Sequence, residues 1–579
     1  MYYSRLLKKA KNKDAVFVDF FDTVMFRSAH SHQLMPQWEK ALKLKYPELE
    51  ETPLSHIRKE AITSLGGDEC AIKYDKLLRK IYDCIGTKVG FKEFYHVSYL
   101  IDYSIDMITQ YPNKKIINTL KKLKEKGKKI YLVTDYYLPA DCYTHYLKPY
   151  NLIELFDEIF CSSEYERTKS NGNLYPFILE KLNISSHKVV MIGDSKQSDY
   201  INASMHGIEG VRYFPLKHKI LTNYRKKTGY DFKKYGLNQF YKNTFKNTLF
   251  CEYALNLYYF TQKLLQEVKT HGESNVGFLA RGGYFLKICF DRCKLLNSDF
   301  NVINSYYIKN SRKVNKKALV NDNDKKMLSQ YMSYFSKNNS MTVVDEGWYC
   351  SSQITIEKVT GIRVNGYYLG IMDRNKGEEN FTRKGILFDI NESGDKSPYY
   401  GVFRTNCTFY EQLLSAPHGS TTEYHEINGK IQAKEVWNDV EKKNYYENIL
   451  PLQENILDYL TGLVTWNCNL GLDELSKYVM HTLLFGSNER LIKMDEIMNA
   501  WFDNANDTNE KKFANIRNVK ISVVELIAAP ENYLRYFCKL KDLKLRSNWM
   551  KFIYPVLGPC IYLYCRSSIN IKKRIYGWD

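Results

Sequence analysis

Residues 16–26 read VFVDFFDTVMF: an apolar run that stops at Asp19 and is followed three positions later by a second carboxylate, Asp22, with Phe21 between them. Two more segments take the same form, KIYLVTD (129–135) and KVVMIGD (188–194), each ending in Asp or Thr-Asp. Short continuous apolar runs suit parallel strands buried on both faces, and in an open parallel sheet the carboxyl ends converge on the edge where ligands bind. Three acidic strand ends in the first 215 residues therefore predict an α/β domain with its site at that edge.

The intervening chain is helical in pattern. NKKIINTLKKLKEKGKK (113–129) supplies a crossover with Gly127 as its C-cap. Residues 27–110 read as several amphipathic helices inserted after the first strand, where they can cover the site edge. One helix is expected over 237–271. A second alternation then begins: NVGFLARGGYFLKICFDRC (from Asn275) and MTVVDEGWYCSSQITIEKV (from Met341) each read as strand, glycine-bearing turn and helix, and RVNGYYLGIM (363–372) as a further strand. The expected organisation is a domain over 1–230, with core 1–26 and 111–230 and helical insertion 27–110. A second α/β domain over 240–430 and a mainly helical, basic region over 435–579 follow.

A chain of 579 residues exceeds one domain, and 44% hydrophobic with 15% aromatic residues excludes global disorder. Thirteen cysteines show no CxxC pair or metal-ligand spacing, and the first residues, MYYSRLLKKAKNKDAVF, lack the apolar stretch of a secretory signal. Reduced thiols in a cytoplasmic protein are expected. The net charge of +19 suits anionic partners, but no RNP, zinc-finger or helix-turn-helix signature accompanies it, so nucleic acid is not the expected one. From Arg535 onward ten Lys or Arg face only Asp542 and Asp579, interleaved with Trp549, Tyr554, Tyr562, Tyr564 and Trp578. Such a tail (535–579) suits peripheral contact with an anionic membrane, or is a solvated basic subdomain. FIYPVLGPCIYLYC (552–565) falls short of the ~20 apolar residues of a spanning helix, and two prolines interrupt it.

A carboxylate at a strand end can attack phosphorus, and clustered acids facing a phosphate call for a hard cation such as Mg²⁺, which takes carboxylates, a carbonyl and waters. In their order, VDFFDTV, YLVTD, SSEYERTKSNGNLY and GDSKQSD resemble the four motifs of the haloacid dehalogenase (HAD) superfamily. The resemblance implies a Rossmann-like core with a C1-type helical cap. It makes Asp19 the nucleophile and Thr134 a donor to a phosphoryl oxygen, with Lys169 neutralising developing charge. It also implies an Mg²⁺ site of Asp19, Phe21 (through a main-chain carbonyl), Asp194 and Asp199. Phe21 falls where most HAD phosphatases carry a second aspartate, the acid and base for the leaving group. Phe has no proton to give: either Asp22 substitutes one position later, or another group does, or activity is weak or different, and Asp22 then organises the turn after the strand.

The wider pattern, FFDTV with TDYYLP, SSEYERTKSNG, FLARGGYFL, VVDEGWYCSSQ and LLSAPHGS, is similar to a bacterial group of predicted HAD-family proteins from surface-polysaccharide gene clusters. Some are attached to glycosyltransferase modules, which makes glycosyltransferases candidate partners. In the second unit, ARGG and DEGWYCSSQ are turns with exposed amides, and Arg281, Asp345, Ser351 and Ser352 could line a phosphosugar or nucleotide-sugar pocket. Alternatively the glycines only make tight turns, Arg281 pairs with Asp345, and His418 of SAPHGS is a loop histidine. The leading expectation is an Mg²⁺-dependent hydrolase of a phosphorylated small metabolite. The alternative is a catalytically weak HAD scaffold whose second domain binds or transfers a phosphosugar or nucleotide sugar.

Overall fold

A computed structural model of the chain describes residues 2–372, 383–390, 397–499, 522–543 and 548–577. It divides into two compact units: Met1–Glu252 with Leu295–Ser298 and Asp458–Asn469, and Tyr253–Lys294 with Asp299–Leu457 and Leu470–Asp579.

The first unit is built on strand β1 (Ala15–Val18), whose four residues are all fully buried because it lies at the centre of a parallel sheet. The chain then forms a short antiparallel ribbon, β2 (Met25–Arg27) against β3 (Gln110–Pro112). Between these two strands run four helices, α1 (Leu34–Lys45), α2 (Leu54–Ser64), α3 (Tyr74–Tyr82) and α4 (Phe91–Met107). Trp38, Leu77, Ile81, Phe94 and Ile101 are fully buried, so the insertion has its own apolar interior. Helix α5 (Lys114–Glu125) ends before Gly127, which holds φ 76°, and leads into β4 (Lys129–Thr134). Strands β5 (Glu158–Cys161), β6 (Val189–Gly193) and β7 (Glu209–Arg212) complete a five-stranded parallel sheet of order β5-β4-β1-β6-β7. Strand order reverses between β1 and β6, which makes the carboxyl ends of those two strands the predicted binding crevice. Helix α6 (Leu216–Thr228) follows the sheet.

The single helix expected over 237–271 is two, α7 (Leu237–Asn247) and α8 (Tyr253–Thr270). Phe250 takes a left-handed backbone (φ 64°) that no helix can carry through. The second unit then alternates as expected: β8 (Asn275–Leu279), α9 (Gly283–Leu296), β9 (Asn304–Ile308), β10 (Ser340–Trp348), α10 (Ser351–Thr360), β11 (Arg363–Ile371) and β12 (Arg383–Phe388). The sheet is parallel, in the order β12-β11-β10-β8-β9, so its reversal lies between β8 and β10. A hairpin, β13 (Ser420–Ile427) with β14 (Lys430–Val436), follows. The α/β class, the inserted helices and the helical C-terminal region agree with the sequence reading.

The prolines of the tail do not interrupt it: α11 runs from Asn548 to Tyr576 through Pro555 and Pro559. Each proline removes a helical hydrogen bond, a local cost of about 3 kcal/mol, which burial of Tyr554, Ile561, Cys565 and Ile569 along the same helix offsets. No helix among the described residues is long and apolar enough to cross a membrane. Trp578, Asp579 and the side chains of Asp542 and Trp549 lie outside the described residues. None of the thirteen cysteines forms a disulfide.

Candidate functional site

Asp19 sits one residue beyond β1, its amide donating to the Ile192 carbonyl of β6 at 3.0 Å, so its place is set by the ladder across the strand-order reversal. The Lys169 ammonium donates to Asp19 Oδ1 and to Asp199 Oδ1, each at 2.7 Å. Lys169 is 2% exposed. Burial disfavours its charge, but the two carboxylates outweigh it and raise its pKa well above the lysine range, so it stays an ammonium. Its loop is held by Asp135, which accepts from the Lys169 and Ser170 amides at 2.7 and 3.0 Å. Asn202 holds the same loop by donating to the carbonyls of those two residues.

Asp199 comes from the helical turn after β6 and accepts from the Ser195 amide at 2.9 Å. Its carboxylate occupies the space that a Cβ on Gly193 would fill, so the glycine of the GD pair permits the approach. Asp194 meets the Lys219 ammonium of α6 at 2.7 Å. Asp19, Asp194 and Asp199 each offer an oxygen within 4.8 Å of the others, and among the described residues this is the one group of three acidic or metal-ligating side chains so arranged. Burial raises the Asp19 pKa well above the carboxylate range; Lys169 opposes this, and Asp199 and Asp194 add to it. Asp194 is raised by burial against the pull of Lys219. Such a set, acids repelling one another over less than 5 Å, fits a divalent cation.

Thr134 ends β4 fully buried, and its Oγ1 accepts from the Tyr143 hydroxyl at 3.2 Å. Asp135, not Thr134, reaches the cavity wall. Thr23 donates to Asp19 Oδ2 at 3.1 Å. Phe21 is 8% exposed, its ring 4.6 Å from that of Tyr136 and capped by the Arg27 guanidinium at 4.4 Å. Asp22 takes φ 58° in the turn closed by its own amide on the Met25 carbonyl, and its Oδ1 lies 2.9 Å from His218 Nε2. Burial pushes the Asp22 pKa up, but the His218 hydrogen bond, Arg27 and Lys219 together leave it below the usual carboxylate value. These groups border a cavity of about 350 Å³, whose further walls include Arg58, Tyr137 and Met35 of the inserted helices and the loop after β4. Asp135 was visible as the Asp of the Thr-Asp ending. Lys219, His218 and Asn202 carried no local signal, because only the tertiary fold brings them to the strand ends.

In the second unit Arg281, Asp345, Ser351 and Ser352 all line one cavity of about 460 Å³. Arg281 does not pair with Asp345. Its guanidinium makes a two-point contact with Glu441 at 3.1 and 3.2 Å, a carboxylate that sequence distance concealed. His418 lies 2.7 Å from the Tyr307 hydroxyl and, through Nδ1, 2.8 Å from the Gly419 carbonyl.

Residues 56–212 match the family model of haloacid dehalogenase-like hydrolases, and the first unit carries a domain of that superfamily. The match begins in α2, ends with β7 and takes in Thr134, Lys169, Asp194 and Asp199, while Asp19 precedes it. Similar solved structures include a HAD family enzyme of Bacteroides thetaiotaomicron, 18% identical over 35% of this chain and 94% of that one, with TM-score 0.26. The wild-type form of that enzyme in complex with magnesium and inorganic phosphate is 16% identical over the same shares, with TM-score 0.24. A 2-haloacid dehalogenase from Pseudomonas syringae pv. tomato is 15% identical over 34% of this chain and 84% of its own, with TM-score 0.27. No curated protein matches the chain.

Proposed function

We propose that the first unit is an Mg²⁺-dependent hydrolase of a phosphorylated small metabolite, with Asp19 as the nucleophile. The observation that carries this reading is Lys169 bridging Asp19 and Asp199 beside Asp194, at the point where strand order reverses. One Asp19 oxygen attacks phosphorus, the bond from phosphorus to the leaving oxygen breaks, and water then releases phosphate and regenerates the carboxylate. Asp194, Asp199, Asp19 and the Phe21 carbonyl would hold Mg²⁺, which supplies Lewis-acid neutralisation of the phosphoryl oxygens. Lys169 supplies a fixed positive charge on the same side. Phe21 gives the leaving group no proton, so good leaving groups are favoured over poor ones. A cavity of about 350 Å³ has room for a small metabolite.

The resemblance to proteins of surface-polysaccharide clusters supports a sugar-derived substrate, cytoplasmic action and glycosyltransferase partners. The basic tail, with Phe552, Val556, Leu563 and Ile575 exposed along α11, supports peripheral contact with an anionic membrane.

The test is phosphate release from sugar phosphates and nucleotide sugars, in Mg²⁺ and in EDTA, by wild type and Asp19→Asn. Release that needs the metal and vanishes in the variant is expected. Release that survives Asp19→Asn would remove Asp19 from the chemistry. A panel without any release favours the second reading suggested by Phe21, a HAD scaffold that binds without turnover.

A further inference from the structure

The second sheet repeats the topological device of the first with different chemistry. Its order reverses between β8 and β10, and the turns that leave those two strands form the wall of the 460 Å³ cavity. One turn is Ala280-Arg281-Gly282, opening α9; the other is Tyr349-Cys350, between the end of β10 and α10. Neither helix has an acidic residue in its first turn. The cavity also receives Arg312 and Arg404, so its polar wall has both cationic and acidic parts.

The acidic part is Asp345 and Glu346, adjacent on β10. The Glu346 carboxylate lies against the backbone of Gly282, where any Cβ would collide with it, so the glycine of the first turn makes room for an acid of β10. Burial raises both acids, Asp345 to about 7, and each has Arg312 as an opposing charge. Carboxyl groups in this setting can accept from hydroxyl groups and, when protonated, donate to them. Asn310 adds a buried polar group to the same wall. It lines the cavity at 2% exposure, its Oδ1 accepts from Tyr424 at 3.4 Å, and its Nδ2 has no hydrogen-bond partner. A buried amide donor left without a partner is destabilising.

We propose that this cavity is a second ligand site, for the phosphate ester of a polyol, with the phosphate toward Arg312 and the start of α10 and the hydroxyls toward Asp345, Glu346 and Asn310. It stands apart from the hydrolase reading of the first unit. A sugar phosphate and a nucleotide sugar share this chemistry.

The test is calorimetric titration of the full chain in EDTA with glucose 1-phosphate, UDP-glucose and inorganic phosphate. Saturable binding of one of the two sugar esters is expected, weakened about ten-fold or more by Arg312→Gln and by Asp345→Asn, and unchanged by Asp19→Asn. Ser351→Ala, at an exposed helix start, gives the same reading should Arg312→Gln or Asp345→Asn fail to fold. Preference for UDP-glucose together with competition by UMP would identify a nucleotide sugar; preference for glucose 1-phosphate would identify a phosphosugar. Three results would overturn the proposal: no binding tighter than about 1 mM, inorganic phosphate binding as well as the esters, or binding lost in Asp19→Asn and kept in the second-unit variants.

Discussion

His218 Nε2 lies 2.9 Å from Asp22 Oδ1, and the same Asp22 holds a left-handed backbone in the turn that follows β1. The carboxylate is thus occupied by α6 while its backbone closes a turn, a task that asparagine also performs. Asp22→Asn is expected to keep phosphate release within about ten-fold of wild type and to leave the pH profile in place. Loss of a general acid would cost 10²–10⁴-fold. Steady-state rates across pH on a substrate with a poor leaving group decide between these roles.

Lys169 is the buried cation of the site, and its removal would leave Asp19 and Asp199 facing one another without it. Lys169→Met should lower stability in EDTA by about 3–5 kcal/mol, as loss of one partner of a buried pair does. Adding Asp19→Asn should return part of that loss, because one of the two opposed charges is gone. Urea denaturation of the two single variants and the double variant measures the coupling.

By the motif resemblance Phe21 falls at the position of the superfamily's second aspartate, and Arg27 lies over its ring. Phe21→Asp supplies a proton donor and should raise phosphate release by at least about ten-fold. It should also cost about 3 kcal/mol or more of stability, since it removes a ring packed among Phe20, Tyr136 and Tyr143. A variant that folds but gains no rate would show that the leaving group is protonated from elsewhere.

The reading of the first site divides along one physical line. Asp19, Lys169, Asp194 and Asp199 stand in short local patterns, a strand followed by its turn, and such patterns are legible from sequence because the strand imposes them. Lys219 on Asp194, His218 on Asp22 and Asn202 on the Lys169 loop come from segments whose local sequence looks like ordinary surface helix or turn. The second cavity shows the same split. Arg281 and Asp345 were legible at the strand ends, but Glu441 as the partner of Arg281, and the unsatisfied Asn310, depend on approaches over more than a hundred residues or on a neighbouring chain segment. The break at Phe250 was missed because its flanks keep a helical apolar spacing.

Asp157 gives the stability a defined pH dependence. It accepts from the Ile130 amide at 2.8 Å and meets Lys124 and Lys129 at 2.6 and 3.0 Å. Burial pushes its pKa up, but these partners outweigh it and leave the folded value below the ordinary carboxylate one. The unfolded chain therefore takes up this proton first as pH falls. The stabilisation is complete above about pH 4 and is lost as pH drops through the folded value. Asp157→Asn should cost about 1 kcal/mol at pH 7, a modest figure because Lys129 is exposed, and the gap in melting temperature should close toward pH 3.

Membrane contact through the tail is tested without deleting it, because Tyr554, Cys565 and Ile569 of α11 are buried. Phe552→Glu with Leu563→Glu changes only exposed positions, 81% and 63% accessible. Co-sedimentation with phosphatidylserine-containing vesicles should be strong for wild type at low salt and lost in the double variant, with phosphate release unchanged. Equal sedimentation of both proteins would leave the basic tail a solvated surface.

The enclosure of Lys169 also makes it a chemically silent amine. In the folded protein, amine-acylating reagents should modify the many exposed lysines and spare this one, which is 2% exposed and donates to two carboxylates. Its modification, followed by mass spectrometry over time, therefore reports how often the strand-end loop opens, and a bound phosphate analogue should slow that clock.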